Sequence, residues 1–258
     1  MAHPWKPFPY DASAYRFTPV ALKKKWARLH AGDVEPLPAG ADVLAAWALF
    51  HAGEFQQATQ AGLAAGGAGV TAANKAQAIY ATYLETSERL KLALLQEVAA
   101  RAEAQVGAEP DNPNAHYWLA YALGRYSQGI SITKALSQGL GGRIKDALET
   151  TIALAPKHAD AHIALGSYHA EVIDKIGGLL GRTQGASKET GLKMFKEGLR
   201  LSPGSVIGMI EYANGMVMLE GDKRLKEAEQ LYAAAAACEP ADATERLDVE
   251  LAKSELED

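Results

Sequence analysis

DAHIALGSYHA at residues 160–170 and GLKMFKEGLRLSP at 191–203 decide the fold. Both are rich in helix formers, and the second ends on a proline, which stops a helix. Prolines recur in the same setting: Pro110, Pro156, Pro203 and Pro240 each follow a helix-like block and precede another. Counting back from the last three, the eighth residue is large and apolar: Leu148, Phe195 and Tyr232. The fifth is small: Thr151, Gly198 and Ala235. The twelfth is Ile144, Gly191 and Ala228. Nine and ten residues past the first three prolines stand Leu119-Ala120, Leu165-Gly166 and Tyr212-Ala213. Small residues at fixed places let two helices cross closely, and a large one fills the hole between neighbouring pairs. The pattern predicts stacked helix pairs.

The rest of the 258 residues agrees. Sustained alternation of β-branched and aromatic residues is missing, so no sheet is expected. Helices are expected near 19–31, 41–52, 55–66, 71–86, 88–107, 113–125, 142–154, 159–176, 188–201, 205–219, 223–238 and 242–256. AWALFHAGEFQQATQAGLAAGG, 46–67, reads as an earlier pair through Gly53, Phe55, Ala58 and Ala65, and 71–107 as a degenerate one. That makes five pairs and a C-terminal capping helix. Residues 1–18, with Trp5, Phe8, Tyr10, Tyr15 and several prolines, read as an extended arm, and 19–258 as a single helical-repeat domain.

These positions resemble the tetratricopeptide repeat (TPR), a helix–turn–helix unit of about 34 residues. Leu165-Gly166, Gly191, Phe195, Gly198 and Pro203 fall on its signature places. The resemblance implies an all-α, TPR-like superhelix. The prolines stand 46, 47 and 37 residues apart, so the central repeats carry long insertions. These are YSQGISITKALSQGLGG, 126–142, and VIDKIGGLLGRTQGAS, 172–187. Such insertions, with GLLGRTQGAS before a second helix, are similar to the regulator-of-microtubule-dynamics family. More loosely they are similar to the T component linked to bacterial TRAP transporters. The likeness spans about residues 110–250. It implies a binding scaffold, some members holding lipid-like or small hydrophobic ligands.

Composition narrows the function classes. Hydrophobic residues make up 48%, enough for a packed core. A net charge of −5 disfavours nucleic acid, which a basic stripe would attract. One cysteine, Cys238, excludes an internal disulfide framework and reads as a small buried residue. No apolar run is long enough for a transmembrane segment, and prolines break the N-terminal stretch. A soluble, cytoplasmic chain is expected.

Three histidines on one predicted helix, His158, His162 and His169, invite a metal reading. But His116 and His162 both stand six residues past a repeat proline, where Met209 stands in the next repeat. That equivalence predicts packing residues. Residue 159 is alanine where a zincin motif needs glutamate. Gly139, Gly141 and Gly142 before a helix with Arg143 and Lys145 suggest helix breaking first and anion contact second. The basic run Lys23, Lys24, Lys25 reads as a solvated face. No catalytic constellation can be assembled from spacing, and no cofactor is expected. The chain reads as a non-enzymatic scaffold holding a protein or peptide partner on its concave face, with oligomers possible. The alternative is a carrier of a small hydrophobic or lipid-like ligand between 126–142 and 172–187, lined by Lys134, Ile144, Ile176, Leu179, Leu180 and Arg182.

Overall fold

The computed structural model describes residues 5–257. Among them the regular structure is helical, with thirteen α-helices, two short 3-10 turns and no strand. The helices are α1 Pro19–Leu29, α2 Ala41–His51, α3 Phe55–Ala65, α4 Gly69–Tyr83, α5 Glu88–Ala108, α6 Pro113–Gln128 and α7 Ile132–Ser137. Then follow α8 Leu140–Leu154, α9 Ala159–Thr183, α10 Lys188–Leu201, α11 Val206–Glu220, α12 Leu225–Ala236 and α13 Ala243–Glu255. The twelve expected helices are all present. The insertions hold more helix than expected: α7 lies inside the first, and α9 runs on through the second.

Repeat prolines set the helix starts. Two residues past each of the first three comes the N-cap: Asn112, His158 and Ser205, whose side chains accept the N–H of Ala115, Ala161 and Gly208 respectively. An uncapped N-terminus leaves its first N–H groups without partners, which is why a polar side chain recurs here. His158 does this with Nδ1, an unusual use of histidine, and is fully buried. Four residues on, His116 and His162 donate from Nε2 to the carbonyls of Pro110 and Pro156, at 2.8 and 3.1 Å. The two histidines thus tie the same turn in successive repeats.

The chain forms two compact units. The first takes the N-terminal stretch through His30, then Glu35–Ser131 and Ala241–Thr244; the second takes Ala31–Val34, Ile132–Pro240 and Glu245 onward. In the first, α2 to α6 pack each on the next, and α2 also meets α4 and α4 meets α6. In the second, α8 packs on α9, α9 on both α10 and α11, and α11 on α12.

Phe195 shows why the second unit folds as it does. Its ring is fully buried between Gly166 of α9 and Gly215 of α11. A Cβ at Gly166 would stand 2.8 Å from the ring, and one at Gly215 2.3 Å, so only glycine leaves room. Tyr212 stacks on the same ring at 5.3 Å. Tyr232, at the equivalent place one repeat later, is only half-buried; its hydroxyl bonds to Asn214. Cys238 is also half-buried rather than buried, since it lies past the end of α12.

In the first unit, residues 5–18 lie on the helices. Trp5 stacks on the buried Tyr80 of α4, ring centroids 4.1 Å apart, and the Lys6 N–H donates to the Tyr80 hydroxyl. Phe8 sits against Gly53, whose φ of 80° suits glycine. Residues 1–4 of the expected arm lie outside the described residues.

Candidate functional site

The second insertion is a helix with a joint. α9 holds helical geometry to Ile176, breaks at Gly177 (φ 76°, ψ 158°) and resumes to Thr183. That break turns the last segment out of line with the helix that carries it. Its end is anchored: the Tyr168 hydroxyl donates to the Gln184 carbonyl at 2.7 Å, and Ser187 N–H donates to His169 Nδ1 at 3.3 Å. Burial and the flanking carboxylates Asp146 and Glu149 push the Tyr168 hydroxyl up to about 12, so it stays a donor. Burial, helped by the positive Lys145, holds His169 down at about 4, so its ring stays neutral and can accept.

The anchored end also touches the root of the first insertion. A Cβ at Gly185 would lie 3.1 Å from Lys145 Cε, and one at Gly141 would lie 3.5 Å from Gln184 Oε1. α7 leads straight into α8, which holds Gly141 and Lys145, and packs on it. The two insertions therefore meet at their roots within one unit.

The six candidate residues separate into two groups. Ile144 is buried on α8, on the face that carries Leu140, Ala147, Leu148 and Thr151. Ile176 is partly buried, just before the joint. Lys134 and Arg182 are exposed. Leu179 and Leu180 are 81% and 58% exposed, and α7 buries none of its residues, leaving Ile132 and Leu136 at 45% and 50%. The apolar residues nearest the tips thus face outward, and Ile144 belongs to the core.

Two arrangements were not legible in the sequence. The first is a buried aromatic seam in the N-terminal unit. The Lys75 ammonium of α4 lies 5.7 and 5.2 Å from the rings of Trp47 and Phe50 on α2, and 5.7 Å from Trp118 on α6. A cation over several aromatic faces is held by their quadrupoles. The seam continues on α6, where Trp118 packs on Tyr121 and the Arg125 guanidinium covers Tyr121 at 5.4 Å. Tyr121 and Arg125 are both partly exposed. The only sequence signal was a lone lysine in an alanine-rich helix.

The second is a buried chain of three polar groups. His51, fully buried, donates from Nδ1 to Asp242 at 2.7 Å, and its Nε2 lies 3.3 Å from His30 Nε2. Trp26 stacks on His30, and Trp47 lies edge-on to it. Partners 191 residues apart leave no local pattern to read. Among the described residues no group of three or more His, Cys, Asp or Glu has a metal-holding arrangement. Nor is any helix among them long and apolar enough to cross a membrane.

Known proteins fit this architecture. A crystal structure of a thermophilic TPR protein from Thermus thermophilus superposes with a TM-score of 0.59 at 17% identity, covering 83% of this chain and 97% of that one. At that identity the likeness speaks for the fold alone. No curated protein sequence matches the chain. The profile of the regulator of microtubule dynamics protein 1-3 family matches residues 72–257, taking in the α4/α5 pair, both insertions and the capping helix. The chain is a divergent TPR-like protein and belongs to the regulator of microtubule dynamics protein 1-3 family.

Proposed function

We propose that this protein is a non-enzymatic scaffold that holds a protein or peptide partner on the inner, concave face of its repeats, in the cytoplasm. TPR-like proteins are generally interaction scaffolds, and stacked repeats offer extended surfaces for partners. The observation that carries the reading is the serial packing of α2, α4 and α6, with Lys75 of the middle helix set against rings of both neighbours. Such a seam makes an inner face stiff before a partner arrives, which lowers the ordering cost of binding. Beside it, Tyr121 and Arg125 offer a half-exposed ring and a cation, side chains that favour interface anchors. A photo-crosslinker in place of Tyr121 should capture the partner in cells. One in place of Gln96, exposed on α5, should not. Equal capture at both places would defeat the reading.

A second reading has its own observation. The outward Leu179 and Leu180 support a small hydrophobic or lipid-like ligand at the insertions 126–142 and 172–187, with Lys134 of the first and Arg182 of the second as its polar contacts. Native mass spectrometry of the purified protein tests it through a co-purifying mass.

A further inference from the structure

Residues 5–14, WKPFPYDASA, lie on the first unit without becoming part of its core. None of their side chains is buried. The surface beneath them is: Tyr80 and Glu85 are 0% and 6% exposed. The Trp5 ring lies over the Tyr80 ring, 13° from parallel. The Tyr80 hydroxyl accepts the Lys6 N–H at 3.1 Å and donates to Glu85 at 3.2 Å. The Lys6 ammonium donates to the hydroxyl of exposed Thr86 at 2.8 Å. Phe8 fills a niche at Gly53, where a Cβ would stand 2.7 Å from its ring. A peptide on another chain can make every one of these contacts.

The contacts also have a register. Glu85 and Thr86 belong to the turn that joins α4 to α5, and Gly53 to the turn that joins α2 to α3. These are equivalent turns of neighbouring helix pairs. Trp5 and Phe8 are three residues apart, which in extended chain spans about 10 Å. That is close to the distance between packed helix axes. Pro7 keeps Lys6 out of helical geometry, and Pro9 does the same for Phe8. The segment is therefore stiff before it docks and loses little freedom on docking. Downstream the chain has a root of its own. Tyr15 is buried, and Phe17 lies edge-on to His51 and under the Lys25 ammonium. Residues 5–10 can lift from the surface while that root holds.

We propose that the surface formed by Gly53, Tyr80, Glu85 and Thr86 is a docking site for an extended segment of a partner protein, carrying an aromatic residue, a lysine, a proline and a second aromatic in that order, and that residues 5–8 occupy it as the chain's own competitor. The chain itself displays the ligand chemistry, because it carries a segment that fits. A tethered competitor stands at millimolar effective concentration, so only a partner that is abundant nearby or adds contacts elsewhere displaces it. The proposal goes beyond the scaffold reading and does not rest on Tyr121.

The test is fluorescence anisotropy of a labelled, N-acetylated peptide of residues 5–14 titrated with the full chain. The variant Trp5→Ala, Phe8→Ala empties the site and should bind the peptide at least about ten-fold more tightly than the wild type. Adding Thr86→Ala should weaken that binding several-fold, because the peptide lysine loses its acceptor. A peptide with alanine in place of the tryptophan should bind about ten-fold more weakly. One of the same composition in scrambled order should not bind. If the double variant keeps a cooperative circular-dichroism melt yet ignores the peptide up to about 1 mM, the proposal is overturned. Equal binding of the scrambled peptide overturns it too. So does a wild type that sediments as a dimer beside a monomeric double variant, which would give the site to a second copy's arm. If the double variant does not fold, hydrogen exchange of the wild type decides. Excess peptide should speed exchange of the Lys6 amide several-fold, and an unchanged rate is equally fatal.

Discussion

Two helix pairs, α4/α5 and α9/α10, solve the same packing problem with different chemistry. In the second, an aromatic knob closes the seam: Phe195 of α10 reaches between Gly166 and Gly215 with no polar atom involved. In the first, the seam is a polar network. Arg101 of α5 donates from Nε to Asn74 Oδ1 at 2.6 Å and from its terminal nitrogen to Gln77 Oε1 at 2.9 Å. Asn74 donates to Gln105, which donates to Thr71, all of them buried. An apolar knob tolerates small shifts as long as volume is conserved. A buried network tolerates none, because each broken bond leaves a desolvated group unpaired. One repeat geometry can therefore rest on shape in one place and on donor–acceptor matching in another.

The largest expected effect breaks the shape half of this comparison. Phe195→Ala removes a fully buried ring and leaves a slot that two glycines cannot collapse into, so urea denaturation should show a loss of about 3–5 kcal/mol. A loss under about 1 kcal/mol would mean that the seam does not depend on the knob. Arg101→Ala tests the matching half and should cost about 2–3 kcal/mol, because the amide oxygens of Asn74 and Gln77 lose their charged donor. Burial pushes the half-buried Arg101 guanidinium below its usual range. A loss below about 0.5 kcal/mol would show that water replaces the guanidinium freely.

The smallest effect sharpens the comparison through pH. His169 is held at about 4 in the folded chain, below its ordinary 6.5, chiefly by burial. The unfolded chain therefore takes up the proton first as pH falls. Its contribution is complete above about pH 6.5 and is lost progressively as pH falls toward 4. By pH 5 the loss should reach about 2 kcal/mol. His169→Gln keeps an acceptor for the Ser187 N–H and cannot titrate. The wild type should therefore lose about 2 kcal/mol more than the variant between pH 7 and 5 in parallel denaturant titrations. Equal losses would locate the acid sensitivity elsewhere.

The same contrast explains what the sequence could disclose. Phe195, Gly166, Gly198 and Pro203 occupy positions that steric fit demands at fixed spacing, so the repeat in α9/α10 is visible from residue types alone. The α4/α5 pair meets its needs with Asn74, Gln77, Arg101 and Gln105, partners 24 to 34 residues apart that find one another only after the helices pack. Spacing cannot report that, and the pair therefore reads as degenerate although the family profile includes it. His116 and His162 were legible as equivalent positions because both stand six residues past a repeat proline; the turn carbonyl that each one ties was not. α7 escaped notice because a six-residue helix flanked by glycines has almost no periodicity to detect. The insertions were legible as the places where the chain departs from its repeat. The outward turn of Leu179 and Leu180 was not, since it follows from one backbone angle at Gly177.

Repeat proteins are usually held together by contacts between near neighbours, which lets them fold early and from either end. The bond between His51 and Asp242 departs from that habit. The N-terminal unit takes Ala241–Thr244 from nearly the far end of the chain. The helices of this unit therefore cannot complete their own core until residues 241–244 have been made. Closing so long a loop raises contact order and slows the final step of folding. Removing residues 241–244 would leave the fully buried His51 without its carboxylate partner.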